Sequence, residues 1–201
     1  MKILIKAACF VPLVMGASSF AQDQAVKYGT CSIDLDVPVL PKCALETRDG
    51  QLFVLQKFVD DVFAGRVHGL AAHPVKVGRE RLASIYLDEG KWSYFNPSGL
   101  VVVHNVADAD NAPCEFQKGL VPVTKDGKWG LADAKGNFVV AMQYDGLLND
   151  WEKPGWRACL ACRVVHKGEH WWFSGGKWFH LDTRGRVTGE AEAPTVPADA
   201  Q

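Results

Sequence analysis

The sequence predicts an all-β protein: antiparallel β-hairpin repeats, about four units, stacked into one compact repeat domain. Three observations predict it. The tripeptide Gly-Lys-Trp occurs at 90–92, 127–129 and 176–178. In each copy an Asn or Asp follows four residues after the Trp (Asn96, Asp133, Asp182), and a Gly seven after it (Gly99, Gly136, Gly185). A hydrophobic run then begins: Leu100 to Val103, Phe138 to Val140, and a weaker Val187. Each unit therefore reads as a hairpin. The Trp-containing run is one strand, Asn/Asp-x-x-Gly is a turn whose Gly takes positive φ, and the Val-rich run is the return strand.

Residues 1–21 have the three parts of an export signal. Lys2 and Lys6 make a positive start, Ala7 to Met15 an apolar run, and Ser19-Phe20-Ala21 a small-residue cleavage site before Gln22. The apolar run is too short to span a bilayer, and no other stretch reaches the ~20 apolar residues a spanning helix needs. The expected product is a periplasmic or secreted protein with no membrane insertion. Without the signal, 20 Lys and Arg face 23 acids, a formal charge of −3. Such a balance excludes the basic footprint of a general nucleic-acid binder.

Export changes how the cysteines read. Cys9 leaves with the signal, and Cys31, Cys43, Cys114, Cys159 and Cys162 remain. In an oxidising compartment all five are disulfide candidates, and the odd count leaves one thiol over. Residues 22–49 form an N-terminal strand-and-loop segment, where Cys31 and Cys43 bracket Pro38 and Pro41. A Cys31–Cys43 bridge would close a ring of 13 residues and stabilise the fold by ~3 kcal/mol.

The repeat domain covers 50–189. Its first, decayed unit runs from Gly50 into Leu52-Phe53-Val54-Leu55. Phe58 lies eight after that Gly, as Tyr144 lies eight after Gly136, and an Asp follows each closely (Asp60, Asp145). Leu52, Leu55, Val59 and Val62 also fit helical spacing, but the repeat register favours strands across 51–63. The last unit carries an insertion, Lys167 to Gly175, read as an extra hairpin. Residues 190–201, of Ala, Pro and acid, are expected to form a disordered tail.

The run Gly127-Lys128-Trp129-Gly130-Leu131-Ala132-Asp133-Ala134-Lys135-Gly136-Asn137-Phe138-Val139-Val140, followed by Tyr144-Asp145, resembles a repeat of the bacterial WG-repeat proteins. The resemblance covers roughly residues 50–187, with one good unit and three imperfect ones. Only Trp129 is followed by Gly; Ser93 follows Trp92 and Phe179 follows Trp178. The resemblance implies a β-rich scaffold, often exported, and it brings no general catalytic residue set.

Cys159-Leu160-Ala161-Cys162 invites a thiol-redox reading, but that chemistry wants its first Cys at a helix N-terminus. Residues 161–165 read as a strand, in which residues three apart lie ~10 Å apart, beyond disulfide reach. Either the pair sits in a turn and bridges itself, or one of the two bonds Cys114; the cross-link between units is favoured. Cys159, Cys162, His166 and His170 are zinc-type ligands at cramped spacing, so no metal and no cofactor is expected. No hydrolytic or phosphate-loop motif is present.

Seven Trp occur in the chain. Trp92, Trp129 and Trp178, at one repeat position, are expected to be core. Trp171 and Trp172, adjacent on a strand, must face opposite sides, which exposes one. The candidate binding residues are therefore Trp151, Trp156, His170, Trp171 and Trp172, in the 151–180 region that departs from the repeat. The function expected is non-enzymatic recognition of a protein, peptide or glycan in the cell envelope, one form of which is a protective inhibitor of a cell-wall effector. The alternative is a thiol-disulfide or metal protein centred on Cys159 and Cys162.

Overall fold

Each of the three turns marked by the sequence closes on its own Asx residue. The Asn96 side chain accepts the amides of Ser98 (3.0 Å) and Leu100 (3.2 Å). Asp133 accepts those of Lys135 (2.8 Å) and Asn137 (2.9 Å), and Asp182 those of Arg184 (2.8 Å) and Arg186 (2.9 Å). In all three the turn Gly amide donates back to the Asx carbonyl, with the Gly at φ of 82°, 82° and 75°. This local bonding is why Asn or Asp, and then Gly, stand where they do.

A computed structural model describes residues 31–32, 45–67, 74–87, 91–109, 112–149, 154–168 and 170–194. The export signal, the Cys31–Cys43 pairing (which needs Cys43), Trp151 and residues 195–201 lie outside them. After β1 (Cys31–Ser32), β2 (Leu45–Arg48) and β3 (Gln51–Val54) form a hairpin. Asp49 and Gly50, at φ of 50° and 75°, supply its two-residue turn.

Next comes a helix, α1 (Gln56–Phe63), which corrects the expectation of strands across 51–63 beyond Val54, where β3 ends. Helical spacing prevails because it puts Val59 and Val62 on one face, buried with Val54, Phe95 and Val101, while Gln56, Lys57 and Asp60 stay exposed. The carbonyl of Leu55 starts the helix by accepting the amides of Phe58 and Val59.

The remaining strands are β4 (Val75–Val77), β5 (Glu80–Leu87), β6 (Lys91–Phe95), β7 (Val101–Val106), β8 (Asp108–Ala109), β9 (Ala112–Pro113), β10 (Leu120–Lys125), β11 (Lys128–Asp133), β12 (Phe138–Tyr144), β13 (Gly146–Asn149), β14 (Trp156–Leu160), β15 (Arg163–Lys167), β16 (His170–Ser174), β17 (Lys177–Leu181) and β18 (Val187–Ala191). The repeating unit is a three-stranded meander with the Lys-Trp strand in the middle: β5-β6-β7, β10-β11-β12 and β14-β17-β18. The first two meanders join edge to edge in an eight-stranded antiparallel sheet of order β1-β5-β6-β7-β10-β11-β12, with β4 added on β5. The third belongs to a four-stranded sheet, β13-β14-β17-β18. The inserted hairpin is β15–β16, starting at Arg163, four residues before the expected insertion. It lies between β14 and β17, where the second meander has only the Asp126-Gly127 turn. β18 reaches Ala191, two residues into the expected tail.

Successive units meet through their turn glycines. A Cβ on Gly99 would overlap the Val54 carbonyl oxygen, one on Gly136 the Val102 carbonyl oxygen, and one on Gly185 the Val140 side chain. Each turn thus sits on the return strand of the unit before it. The first of these seams is also hydrogen-bonded, from the Val54 amide to the Gly99 carbonyl at 2.7 Å.

Candidate functional site

The Cys159–Cys162 pair shapes one side of the site. β14 ends at Leu160, and Ala161 turns the chain at φ 59°. That break brings the two cysteines to a Cα separation of 6.0 Å, and they bond to each other. The favoured cross-link to Cys114 is therefore corrected: the strand is interrupted at Ala161, which removes the extended geometry that kept the pair apart. Cys114 is the free thiol among the described residues.

The turn folds β15–β16 back over the four-stranded sheet. Phe173 of β16 is buried on Cys159 and Trp178. Its ring makes edge contacts with Trp129 (5.6 Å), Trp171 (5.5 Å) and Trp178 (6.0 Å). Gly146 leaves the space this needs, since a Cβ there would meet the Phe173 ring at 2.7 Å. Trp178 Nε1 donates to the Gly175 carbonyl at 2.9 Å.

Beside this aromatic cluster lies a cleft of 660 Å³, within the ~300–1,000 Å³ range of small-ligand sites. One wall comes from the β8–β9 hairpin, the loop after it and β10–β11: Asp108, Pro113, Cys114, Glu115, Pro122 and Trp129. The other comes from the four-stranded sheet and the inserted hairpin: Leu147, Leu148, Asn149, Trp156, Arg157 and Trp171. The loop is held by Phe116 packing on Tyr94 (5.0 Å), whose hydroxyl donates to the Cys114 carbonyl at 3.0 Å.

Charge in the cleft is divided between the walls. Asp108 and Glu115 are on the first and Arg157 on the second, and no ion pair joins them among the described residues. The Arg157 Nε is shielded from water and has no hydrogen-bond partner; an orphaned donor of this kind costs about 1–3 kcal/mol. Burial first, and then the nearby Asp108 carboxylate, push the Cys114 thiol up to about 11, so it stays protonated and a poor nucleophile at neutral pH.

The structure brings Trp156 and Trp171 together. Both line the cleft, Trp171 being 43% exposed and Trp156 2% exposed. Trp172 is half-buried, lies on the opposite face of β16 from Trp171, and does not line the cleft. His170 begins β16 opposite Lys167. Trp92 and Trp178 are core, as expected, but Trp129 is half-buried and forms part of a wall. His166 is exposed, the two bonded cysteines hold no free sulfur, and no group of three or more metal-type ligands converges among the described residues. Sequence reasoning missed Arg157, Asp108, Glu115 and the wall role of Trp129; nothing local marks them. No family model, curated protein or solved structure matches the chain.

Proposed function

We propose that the chain is an exported, non-enzymatic binding protein of the WG-repeat type, working in the bacterial periplasm and holding a protein, peptide or glycan partner in the cleft. The observation that carries this reading is the cleft itself, with Trp129, Trp156 and Trp171 on its walls and a few polar groups between them. Aromatic faces beside sparse polar groups suit an interface centre. Export rests on residues 1–21, and predicts a secreted form that starts at Gln22. Among the described residues no helix is long and apolar enough to cross a membrane. The thiol-redox alternative has less support. The pair sits at the end of β14, without the helix N-terminus that lowers a redox cysteine's pKa.

The test separates recognition from stability. Mature wild type, Trp171→Ala and Phe173→Ala are immobilised, exposed to periplasmic extract, and melted in parallel. Trp171→Ala is expected to melt near wild type and lose retained partner, whereas Phe173→Ala should lose ~3–5 kcal/mol of stability as a core truncation does. If Trp171→Ala keeps its partner, or loses stability like Phe173→Ala, the site is wrong.

A further inference from the structure

We infer that the cleft binds a peptide that places one carboxylate at Arg157 and, next to it, a hydrophobic side chain between the tryptophans. The inference rests on the cleft being the recognition site and narrows what fills it.

Arg157 is the one cationic side chain among the described residues lining the cleft. Its Nε is out of water without an acceptor, and neither an ion pair nor a hydrogen bond engages the guanidinium among the described residues. A shielded charged donor favours an anion, and the planar guanidinium fork matches a carboxylate through two parallel hydrogen bonds. Nη1 and Nη2, which are not shut away as Nε is and which no contact engages among the described residues, are the donors a bound carboxylate reaches.

The opposite wall limits how much negative charge the ligand carries. Asp108 and Glu115 outnumber Arg157, so a polyphosphate or nucleic acid meets repulsion across the cleft. A single carboxylate on a neutral or cationic body does not. A Lys upstream in the ligand would find Asp108 and Glu115, which gives the peptide an orientation.

The apolar lining selects the rest. Pro113, Pro122, Leu147 and Leu148 lie with the three tryptophans, and Gln117 and Asn149 are the neutral side-chain amides among them. A sugar would bury many hydroxyls there with few partners, at a cost for each one left unbonded. A Leu or Phe side chain needs no such partners.

The experiment follows intrinsic Trp fluorescence and calorimetry of the mature protein with four probes. They are acetyl-Lys-Ala-Leu-Phe as the free acid, its C-terminal amide, acetyl-Lys-Ala-Asp-Phe amide, and a uronic-acid disaccharide. The free acid is expected to bind at least about tenfold more tightly than its amide. Whether the Asp-containing amide recovers that loss tells a side-chain carboxylate from a chain end. Arg157→Gln should remove the preference for the free acid, and Arg157→Lys should keep part of it, with melting curves confirming that both fold. Equal binding of free acid and amide overturns the inference without any variant, as does binding of the disaccharide alone or no binding of any peptide. An unchanged preference in Arg157→Gln overturns it too. If Trp171→Ala still loses the partner captured from extract, the recognition site survives that outcome and only the carboxylate assignment falls.

Discussion

The carboxylate of Asp145 accepts the amide of Ala161 at 2.8 Å, tying the end of the second meander to the turn that carries the disulfide. Its other oxygen meets Lys128 Nζ at 2.5 Å, and the Asp145 amide donates to the Cys159 carbonyl at 2.9 Å. The Lys of Gly-Lys-Trp and the Asp of Tyr-Asp, both part of the repeat pattern, are thus one ion pair. That pair also secures a turn outside its own meander.

Asp145→Ala is accordingly expected to lower Tm and to speed reduction of the Cys159–Cys162 bond by dithiothreitol. Asp145→Asn, which keeps an acceptor for Ala161 but loses the ion pair, should fall between. Equal reduction rates in the three proteins would show that Asp145 does not hold the turn.

Acid should find the same contacts. The Lys128 ammonium, and then the Ala161 amide, hold Asp145 below the ordinary carboxylate range. The Arg186 amide and guanidinium do the same for Asp182. At Asp133 burial opposes ionisation, but hydrogen bonds from the Asn137 side chain and amide outweigh it. With folded values depressed, the unfolded chain binds more protons, so stability rises with pH across this window. The contribution is complete above the unfolded value near ~4 and is lost as pH falls through the folded values. A triple Asp→Asn variant at 133, 145 and 182 should show a shallower loss of stability below pH ~4, measured by urea unfolding. The turns themselves tolerate Asn, since Asn96 already serves in one. An unchanged slope would refute the assignment.

Two glycines separate conformation from contact. Gly127 and Gly136 both have positive φ (73° and 82°), but a Cβ at 127 meets nothing within 4 Å, whereas one at 136 overlaps the Val102 carbonyl oxygen. Gly127→Ala should cost about 1–2 kcal/mol from conformation alone, and Gly136→Ala at least twice as much. Similar costs in denaturant titrations would mean that the seam carries no energy.

Cys114 offers a kinetic check. With its thiol pushed up to about 11 from 9.0, it carries about a hundredfold less thiolate at neutral pH than an ordinary cysteine. Iodoacetamide should label native protein slowly at pH 8, with a rate rising about tenfold per pH unit towards 11, and unfolding should abolish the difference. Rapid labelling of native protein at pH 7 would contradict the environment described for this thiol.

What the sequence made legible is what depends on neighbours in the chain. The three Asx-x-x-Gly turns bond within themselves, so their chemistry is written in four adjacent residues. The inserted hairpin was visible as extra residues beyond the repeating unit, although its first strand begins at Arg163, before the expected insertion. Residues 56–63 satisfy both periods, and only the apolar surface offered by Val54, Phe95 and Val101 decides for the helix. At Ala161 a residue with no special taste for positive φ is held there, its amide bonded to a carboxylate 16 positions away. The cleft is least legible of all. Trp129, Arg157 and Glu115 are brought to one cavity by different sheets and loops, and no spacing along the chain encodes that.

The seams between units have a further consequence. At two of the three, the atom that excludes a side chain from the turn glycine is a main-chain carbonyl oxygen, which every amino acid supplies. The docking of one unit on the next therefore asks almost nothing of the residues on the receiving strand. At those contact points the receiving residue can change without disturbing the seam, while the buried faces of the same strands stay apolar for the core. Such a scaffold can keep its shape while its walls are rewritten for a new guest.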